Sequence, residues 1–135
     1  MTSYYLAHGS PFRHEVRKWE LSFEKRTGIN LVNPFFDLGE EKVMVEHRAR
    51  PTMKTANLIV NTDIRAVVGA DGIIVLLEKE YPYIGSVWEM AVAYNEHLPI
   101  YVVAPKRCSH PFLMSFGAWR FESRRGLEWF LVKKK

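Results

Sequence analysis

Short apolar runs alternate with helical periodicities along the chain. Residues 3–7, Ser-Tyr-Tyr-Leu-Ala, form a β-prone run, and His8-Gly9-Ser10-Pro11 after it is turn-like. From Pro11 to about Arg26, Phe12, Val16, Trp19 and Phe23 recur at the spacing of one helix face, and Gly28 ends that helix. Residues 29–33 read as a second short strand, and Pro34 opens a loop. Residues 38–53 are polar, charged and weakly patterned. They predict a mobile loop with at most one helical turn, either a candidate lid or a plain surface loop. Helical periodicity returns over residues 55–68, with Val60, Ile64, Val67 and Val68 on one stripe and Asp63 off it. The run 72–77 reads as a buried strand, 78–84 as a loop, 85–97 as a helix and 99–103 as the next strand. Beyond it come a loop over 104–111, a helical turn over 112–116, a terminal strand over 118–121 and a last short element over 127–132. Strands alternating with helices argue for a parallel sheet of four to five strands with helices on both faces.

Length and composition narrow the classes. A chain of 135 residues fits one domain spanning 1–135 and buries enough surface to need no disulfide. Its 47% hydrophobic and 25% charged content is that of a soluble globular protein. Cys108 is the single cysteine, so an internal disulfide is excluded and a reducing, cytoplasmic setting is expected. Cys108 has no neighbouring ligand set, so no metal site is expected. No run approaches the roughly 18 apolar residues of a membrane span, and the first residues lack the pattern of a signal peptide. The net charge of +4 is local, in Lys133-Lys134-Lys135 and Arg124-Arg125. With no nucleic-acid motif beside it, the tail reads as a solvated basic end rather than a nucleic-acid site. The other use for these cations is to help hold a phosphorylated small molecule.

The candidate chemistry gathers where strands end. Glu89 is a carboxylate among Val87, Trp88, Met90, Ala91, Val92 and Ala93, in the first turn of the helix after a buried strand. Open α/β sheets hold ligands at that edge. Two readings compete. Ser86-Val-Trp-Glu89 fits a capping box that closes the helix start. Alternatively, Glu89 is a nucleophile or general base, charged yet poorly hydrated. Asp63 is either a solvated helical acid or a second site carboxylate. Tyr5 and the Gly9-Ser10 turn belong at the same edge.

The order Tyr5-Leu6-Ala7, Gly9-Ser10-Pro11-Phe12, Asn33-Pro34-Phe35, Asn61-Thr62-Asp63-Ile64, Ala70-Asp71, Ile84-Gly85-Ser86-Val87-Trp88-Glu89-Met90-Ala91 and Leu98-Pro99-Ile100 resembles the nucleoside 2-deoxyribosyltransferase family. Leu113-Met114-Ser115-Phe116-Gly117 resembles a further stretch of those enzymes, and the resemblance covers about residues 4–117. It implies a Rossmann-like or flavodoxin-like fold and no cofactor. It implies that Glu89 attacks the anomeric carbon of a 2′-deoxynucleoside and carries the sugar as a covalent intermediate to a second base. Asp63 would handle the base's proton and Tyr5 would position the nucleophile. Gly9, Ser10, Phe12, Arg13, Phe35, Tyr83, Gly85, Ser86 and Met114 would line the substrate. A homo-oligomer sharing residues between sites is also implied, with a small-molecule nucleoside or nucleotide as the partner, and neither nucleic acid nor membrane.

The chain departs from that pattern at three places. Tyr83 stands six residues before Glu89, where transferases have a sugar-binding aspartate and the nucleotide-hydrolase branch a serine. Phe112 replaces an asparagine supplied by a neighbouring subunit, and the lysine tail replaces a terminal carboxylate. Ser10 and Arg13 resemble the turn and arginine that hold a 5′-phosphate in the hydrolase branch, although Arg13 also reads as a surface cation. Hydrolysis of a nucleoside 5′-monophosphate is therefore the runner-up activity. Cleavage of NAD by a related sheet, or a nucleotide-sensing module without turnover, stands behind it.

Overall fold

The computed structural model describes residues 1–47, 51–108, 110–111, 115 and 119–134. Five strands, β1 (Ser3–Ala7), β2 (Asn30–Val32), β3 (Ile73–Leu76), β4 (Ile100–Val103) and β5 (Trp119–Phe121), pair in parallel in the order β2-β1-β3-β4-β5. The helices are α1 (Arg13–Thr27, entered through a 3-10 turn at Ser10–Phe12), α2 (Pro34–Asp37), α3 (Glu40–His47), α4 (Met53–Val68), α5 (Ile84–Asn95) and α6 (Arg124–Lys134). The parallel sheet with helices on both faces is the one the alternation of elements implies. Among the described residues no helix is long and apolar enough to cross a membrane.

Side chains leave a strand alternately to its two faces. Tyr4, Leu6, Ile74, Leu76, Tyr101 and Val103 pack with Val16 and Phe23 of α1 and Leu127 and Leu131 of α6. Tyr5, Ala7, Ile73, Val75, Ile100 and Val102 pack with Val67 of α4 and with Met90 and Ala93 of α5. This parity sends Tyr5 to the α4–α5 side and Tyr4 to the other, where its ring meets Tyr101 edge-on at 5.4 Å. A slip of one residue would exchange the two tyrosines. The chain leaves β1 for β2 on one side and returns to β3 on the other. The carboxyl ends of β1 and β3 therefore flank the switch point, where such sheets form a ligand crevice.

Two expectations for the middle of the chain are corrected. Residues 38–53 contain a two-turn helix, α3, rather than a loop. Gly39 supplies the turn into it at φ 83°, and Glu40 and Glu41 suit its positive N-terminal end. The periodicity was weak because its first inward residue is a carboxylate, Glu40. Helix α4 begins at Met53, where the Thr52 hydroxyl accepts from Thr55 N at 3.1 Å. Its expected stripe is split: Val67 is buried as the spacing implies, but Val60, Ile64 and Val68 are exposed (54%, 36% and 45%), and Asp63, expected off the stripe, is buried one turn before Val67. Val60 and Ile64 border the mouth of a cavity and Asp63 faces into it, so hydrophobicity alone does not single out the buried positions.

The last element is a full helix, and two of its cations are held by contacts with the rest of the fold. Arg124 reaches Glu78 and Glu15, each at 2.6 Å, and lies 5.3 Å over the Trp19 ring, while the Lys134 ammonium donates to the Tyr101 hydroxyl at 2.7 Å. These contacts tie α6 to β4, to α1 and to the end of β3.

Gly72 enters β3 where the chain passes closest to its neighbours. A Cβ there would stand 2.9 Å from the Pro99 carbonyl oxygen and 3.1 Å from the Tyr4 ring. Backbone cannot yield as a side-chain tip can, so Gly72→Ala is expected to cost about 1–3 kcal/mol, read as a lower denaturation midpoint at unchanged m-value.

Candidate functional site

A cavity of about 580 Å³ opens between α4, α5 and the carboxyl end of β1. Its wall includes His8, Gly9 and Ser10 from the turn after β1, Phe35 from α2, Glu40 from α3, Asp63 from α4, and Tyr83, Gly85, Ser86, Trp88 and Glu89 around the start of α5. Most of the residues singled out from the sequence are therefore brought together.

Glu89 is held from below by β1. The hydroxyl of Tyr5, a side chain with no exposed surface, donates to Glu89 Oε2. The capping-box alternative is corrected. Helix α5 starts at Ile84 behind Tyr83, which takes left-handed backbone angles (φ 51°, ψ 38°) and makes no side-chain cap. Glu89 thus lies in the second turn, one turn past a capping position, and Ser86 packs inward near the floor. That placement aims the carboxylate back toward β1 rather than at the helix end.

Asp63 and a residue absent from the sequence reading, Glu40, complete the acidic wall. Burial pushes the Glu40 carboxyl up to about 10, and facing Asp63 and Glu89 push it the same way. Burial also pushes Glu89 up to about 8; the Tyr5 hydrogen bond works against this and the facing Asp63 charge with it. Asp63 is raised by burial as well, opposed by contacts with Glu40, Glu89 and Tyr5. Burial, then the charges of Glu89 and Asp63, push the Tyr5 hydroxyl far above its ordinary value, so it is a permanent donor. Among the described residues no cation pairs with any of the three acids, and no cluster of three His, Cys, Asp or Glu could hold a metal ion.

His8 is a second residue the sequence reading passed over, noted there only as part of a turn. It is 5% exposed, its Nδ1 lies 3.1 Å from the Leu6 carbonyl, and burial pushes it down to about 4. The ring is neutral, so Nδ1–H donates to Leu6 and Nε2 keeps a lone pair with no partner. No motif announced it; its only signal was a histidine directly after a buried strand.

The remaining candidates divide. Phe12 does not line the cavity; its ring packs on Tyr81 and Tyr83 at 5.6 and 6.3 Å. Arg13 does not line it either: its Nε donates to Glu41 and its Nη1 to the Ser10 carbonyl at 2.8 Å. Tyr83 lines the cavity, but its hydroxyl turns away and accepts from Lys79 N at 3.1 Å. Met114 and Phe112 lie outside the described residues.

A buried network fixes the corner that delivers Glu40. Glu20, 1% exposed, accepts from Asn33 Nδ2 at 2.8 Å and from Arg17 at 2.9 Å. The Asn33 side chain caps α2 by accepting from Phe35 N at 3.1 Å, and Asp37 accepts from Asn33 N at 2.8 Å. Asn33-Pro34-Phe35 thus sets both the Phe35 wall and the entry to α3.

Neither the scan of family models nor the search of curated proteins returned a match. Solved structures do match. The 2-deoxyribosyltransferase of Bacillus psychrosaccharolyticus superposes with a TM-score of 0.69 at 17% identity, over 94% of this chain and 90% of that one. A CMP N-glycosidase of Clostridium botulinum gives 0.64 at 11% identity over 99% and 100%, and a conserved protein of Enterococcus faecalis gives 0.52 at 16% over 100% and 88%. The chain has the fold of these proteins, and the first two are the kinds of enzyme its sequence resembles.

The raised pKa of Glu89 carries a stability cost with a definite sign. The folded state binds that proton more tightly than the unfolded chain. The group's contribution is therefore complete below pH 4.5 and lost as pH rises through about 8. Glu89→Gln is expected to be more stable than the parent at pH 8, by on the order of 1 kcal/mol or more, and nearly equal to it at pH 4. Thermal melts at the two pH values check this.

Proposed function

We propose that the protein is a nucleoside 2-deoxyribosyltransferase-like enzyme. It cleaves the N-glycosidic bond of a 2′-deoxynucleoside through a covalent Glu89–deoxyribosyl intermediate and passes the sugar to a second base. The observation that carries this reading is the Tyr5–Glu89 hydrogen bond inside a cavity that Asp63 also faces. In the first displacement a Glu89 oxygen bonds to the anomeric carbon and the glycosidic electron pair leaves with the base, which takes a proton from the Asp63 side. A second base, giving up its proton there, reverses the sequence and frees Glu89. Tyr5 donates to the carboxylate oxygen that does not attack, so the nucleophile keeps one orientation in both steps.

The same wall suggests how substrate is held. Phe35 and Trp88 supply aromatic faces for the base. The runner-up is an N-glycosidase acting on a nucleoside 5′-monophosphate, favoured by the likeness to the CMP N-glycosidase over the whole of both chains. Arg13 weighs against it, since its guanidinium is already held by Glu41.

The homo-oligomer is part of the proposal. The cavity mouth is rimmed by Val60, Ile64, Ile84 and Trp88, the last two 73% and 68% exposed. Val60, Ile64 and Val68 continue this rim along the outer side of α4 as an uncharged apolar stripe, and a second copy lying on it would close the mouth to water. Val68→Glu, which leaves the cavity wall untouched, is expected to shift the protein to monomer in size-exclusion chromatography and to raise hydrolysis relative to transfer. An unchanged elution volume would remove this surface from the reading.

Activity is tested by chromatography of 2′-deoxynucleosides and their 5′-monophosphates, each with and without a second free base. Base exchange supports the transferase, and base release that requires the 5′-phosphate supports the runner-up. Glu89→Gln and Glu89→Ala are expected to lose at least ~10³-fold in rate while remaining folded. Because Glu89 attacks only as the carboxylate, the parent rate should rise with pH through about 8, well above the usual carboxylate range.

A further inference from the structure

Two buried oxygens on the acidic wall, Glu40 Oε2 and Asp63 Oδ1, have no hydrogen-bond partner. Both side chains line the cavity, and Asp63 is 8% exposed. The two carboxyls face each other across the gap between α3 and α4. A proton held on this pair would supply a donor to a wall that otherwise carries only acceptors.

We propose that Glu40 and Asp63 share one proton as a dyad, and that this is the proton handed to the base as Glu89 displaces it. The inference rests on the glycosyl-transfer reading and adds a residue to it. Glu40 is a positioning residue: it acts on the base through Asp63. The charge count favours the arrangement. Before reaction the dyad carries one negative charge and ionised Glu89 another. When Glu89 oxygen bonds to the anomeric carbon, the ester is neutral. The glycosidic electron pair leaves on the base nitrogen, that nitrogen takes the dyad proton, and the dyad becomes doubly negative. The wall therefore holds two negative charges before and after. The dyad is kept from losing its proton by the Glu89 charge, and that charge disappears in the step that needs the proton. In the second step the ester C–O bond breaks, its pair returns to Glu89, and the acceptor's N–H proton restores the dyad.

The groups facing the dyad fit this role. From β1 the Tyr5 hydroxyl, which donates to Glu89, also lies beside Asp63, and from α5 comes Glu89 itself. On α3 Glu41 is turned away to Arg13, with His14 Nε2 at 3.8 Å. Burial holds the Glu40 carboxyl protonated well into the alkaline range, which keeps a proton on the wall at the pH where Glu89 is already ionised.

Glu40→Gln tests the dyad. In the parent the rate should fall on the alkaline side only as the dyad empties near pH 10. In Glu40→Gln that limb should move down by at least one pH unit. The rate should drop at least tenfold on 2′-deoxyuridine or 2′-deoxyadenosine but change less than threefold on a deoxynucleoside whose base is acidified by an electron-withdrawing 5-substituent. Such a base departs as an anion without protonation. Equal losses on both substrates, or an unmoved alkaline limb, would overturn the dyad and leave Glu40 a structural residue. A readout independent of turnover is carboxyl ¹³C NMR of the resting protein. One proton should persist on the Glu40–Asp63 pair above pH 8 and vanish there in Glu40→Gln. Independent ionisation of both carboxyls below pH 7 would sink the proposal even in an active enzyme. Persistence of that proton in a protein that turns over no nucleoside would instead keep the dyad and remove the transferase.

Discussion

Three carboxyl groups share one cavity wall with no described cation to neutralise them, and much of the surrounding architecture answers that constraint. Two like charges a few ångströms apart in a poorly hydrated space repel strongly, and a third cannot be ionised as well. The wall therefore keeps protons, and the hydroxyl of Tyr5 supplies a fixed donor. A cation would have relaxed the site and lowered all three pKa values. Its absence leaves Glu89 a poorly solvated carboxylate when it ionises, which is the state a nucleophile requires. The same desolvation costs stability, so the three acids weaken the fold.

The fold accommodates that wall by parity and by topology. Strand β1 is one residue from presenting Tyr4 to the cavity, and its register with β2 and β3 prevents it. The edge-on packing of Tyr4 and Tyr101 adds an energetic lock from the opposite face, because a slip would have to bury Tyr5 there. Each acid comes from a different helix, α3, α4 or α5, and each helix is anchored outside the cavity. Asn33 and Glu20 secure the entry to α3, Thr52 caps α4, and the left-handed turn at Tyr83 starts α5. Left-handed angles at a tyrosine cost on the order of 1–3 kcal/mol. The Tyr83 ring offsets part of that by packing on Tyr81 at 5.1 Å and on Phe12, and its hydroxyl accepts from Lys79.

What the sequence disclosed and what it hid follow from the same physics. The strands were legible because parallel strands buried on both faces are continuous apolar runs, as in Ile73–Leu76 and Ile100–Val103. Glu89 stood out as a lone acid on an otherwise apolar helix, whereas Asp63, one polar residue among several on α4, was given a role only through the family resemblance. Helix α3 was hidden because its inward face carries Glu40, so it has no apolar stripe. The facing of α4 was read only in part: Val67 is buried as expected, but Val60, Ile64 and Val68 are exposed and the polar Asp63 is buried. His8 and Glu40 share one explanation: a buried polar residue gives no periodic signal, and its role emerges only when its neighbours from other elements are in place. Arg13 shows the reverse failure. Its position after Gly9-Ser10 resembled a phosphate-binding pattern, but Glu41, on a helix the sequence did not reveal, takes the guanidinium.

In the proposed reaction, transfer and hydrolysis would differ only in what reaches the glycosyl ester after the first base has left. Water competes at about 55 M with a base at millimolar concentration, so a transferase depends on exclusion and on holding the acceptor in line. The apolar rim of Val60, Ile64, Ile84 and Trp88 bears on that choice more directly than any residue at the reacting centre. If a second copy covers the rim, the ester waits in a dry cavity between two aromatic walls, and a base stacks where the first one stood. If the mouth stays open, the same Glu89, Tyr5 and Asp63 deliver the sugar to water. The dyad fits either outcome, since both a base N–H and water return a proton to the wall. Under the proposed function, the decision between the two activities would therefore sit in the surface of α4 and α5, one helical face away from the three carboxyls.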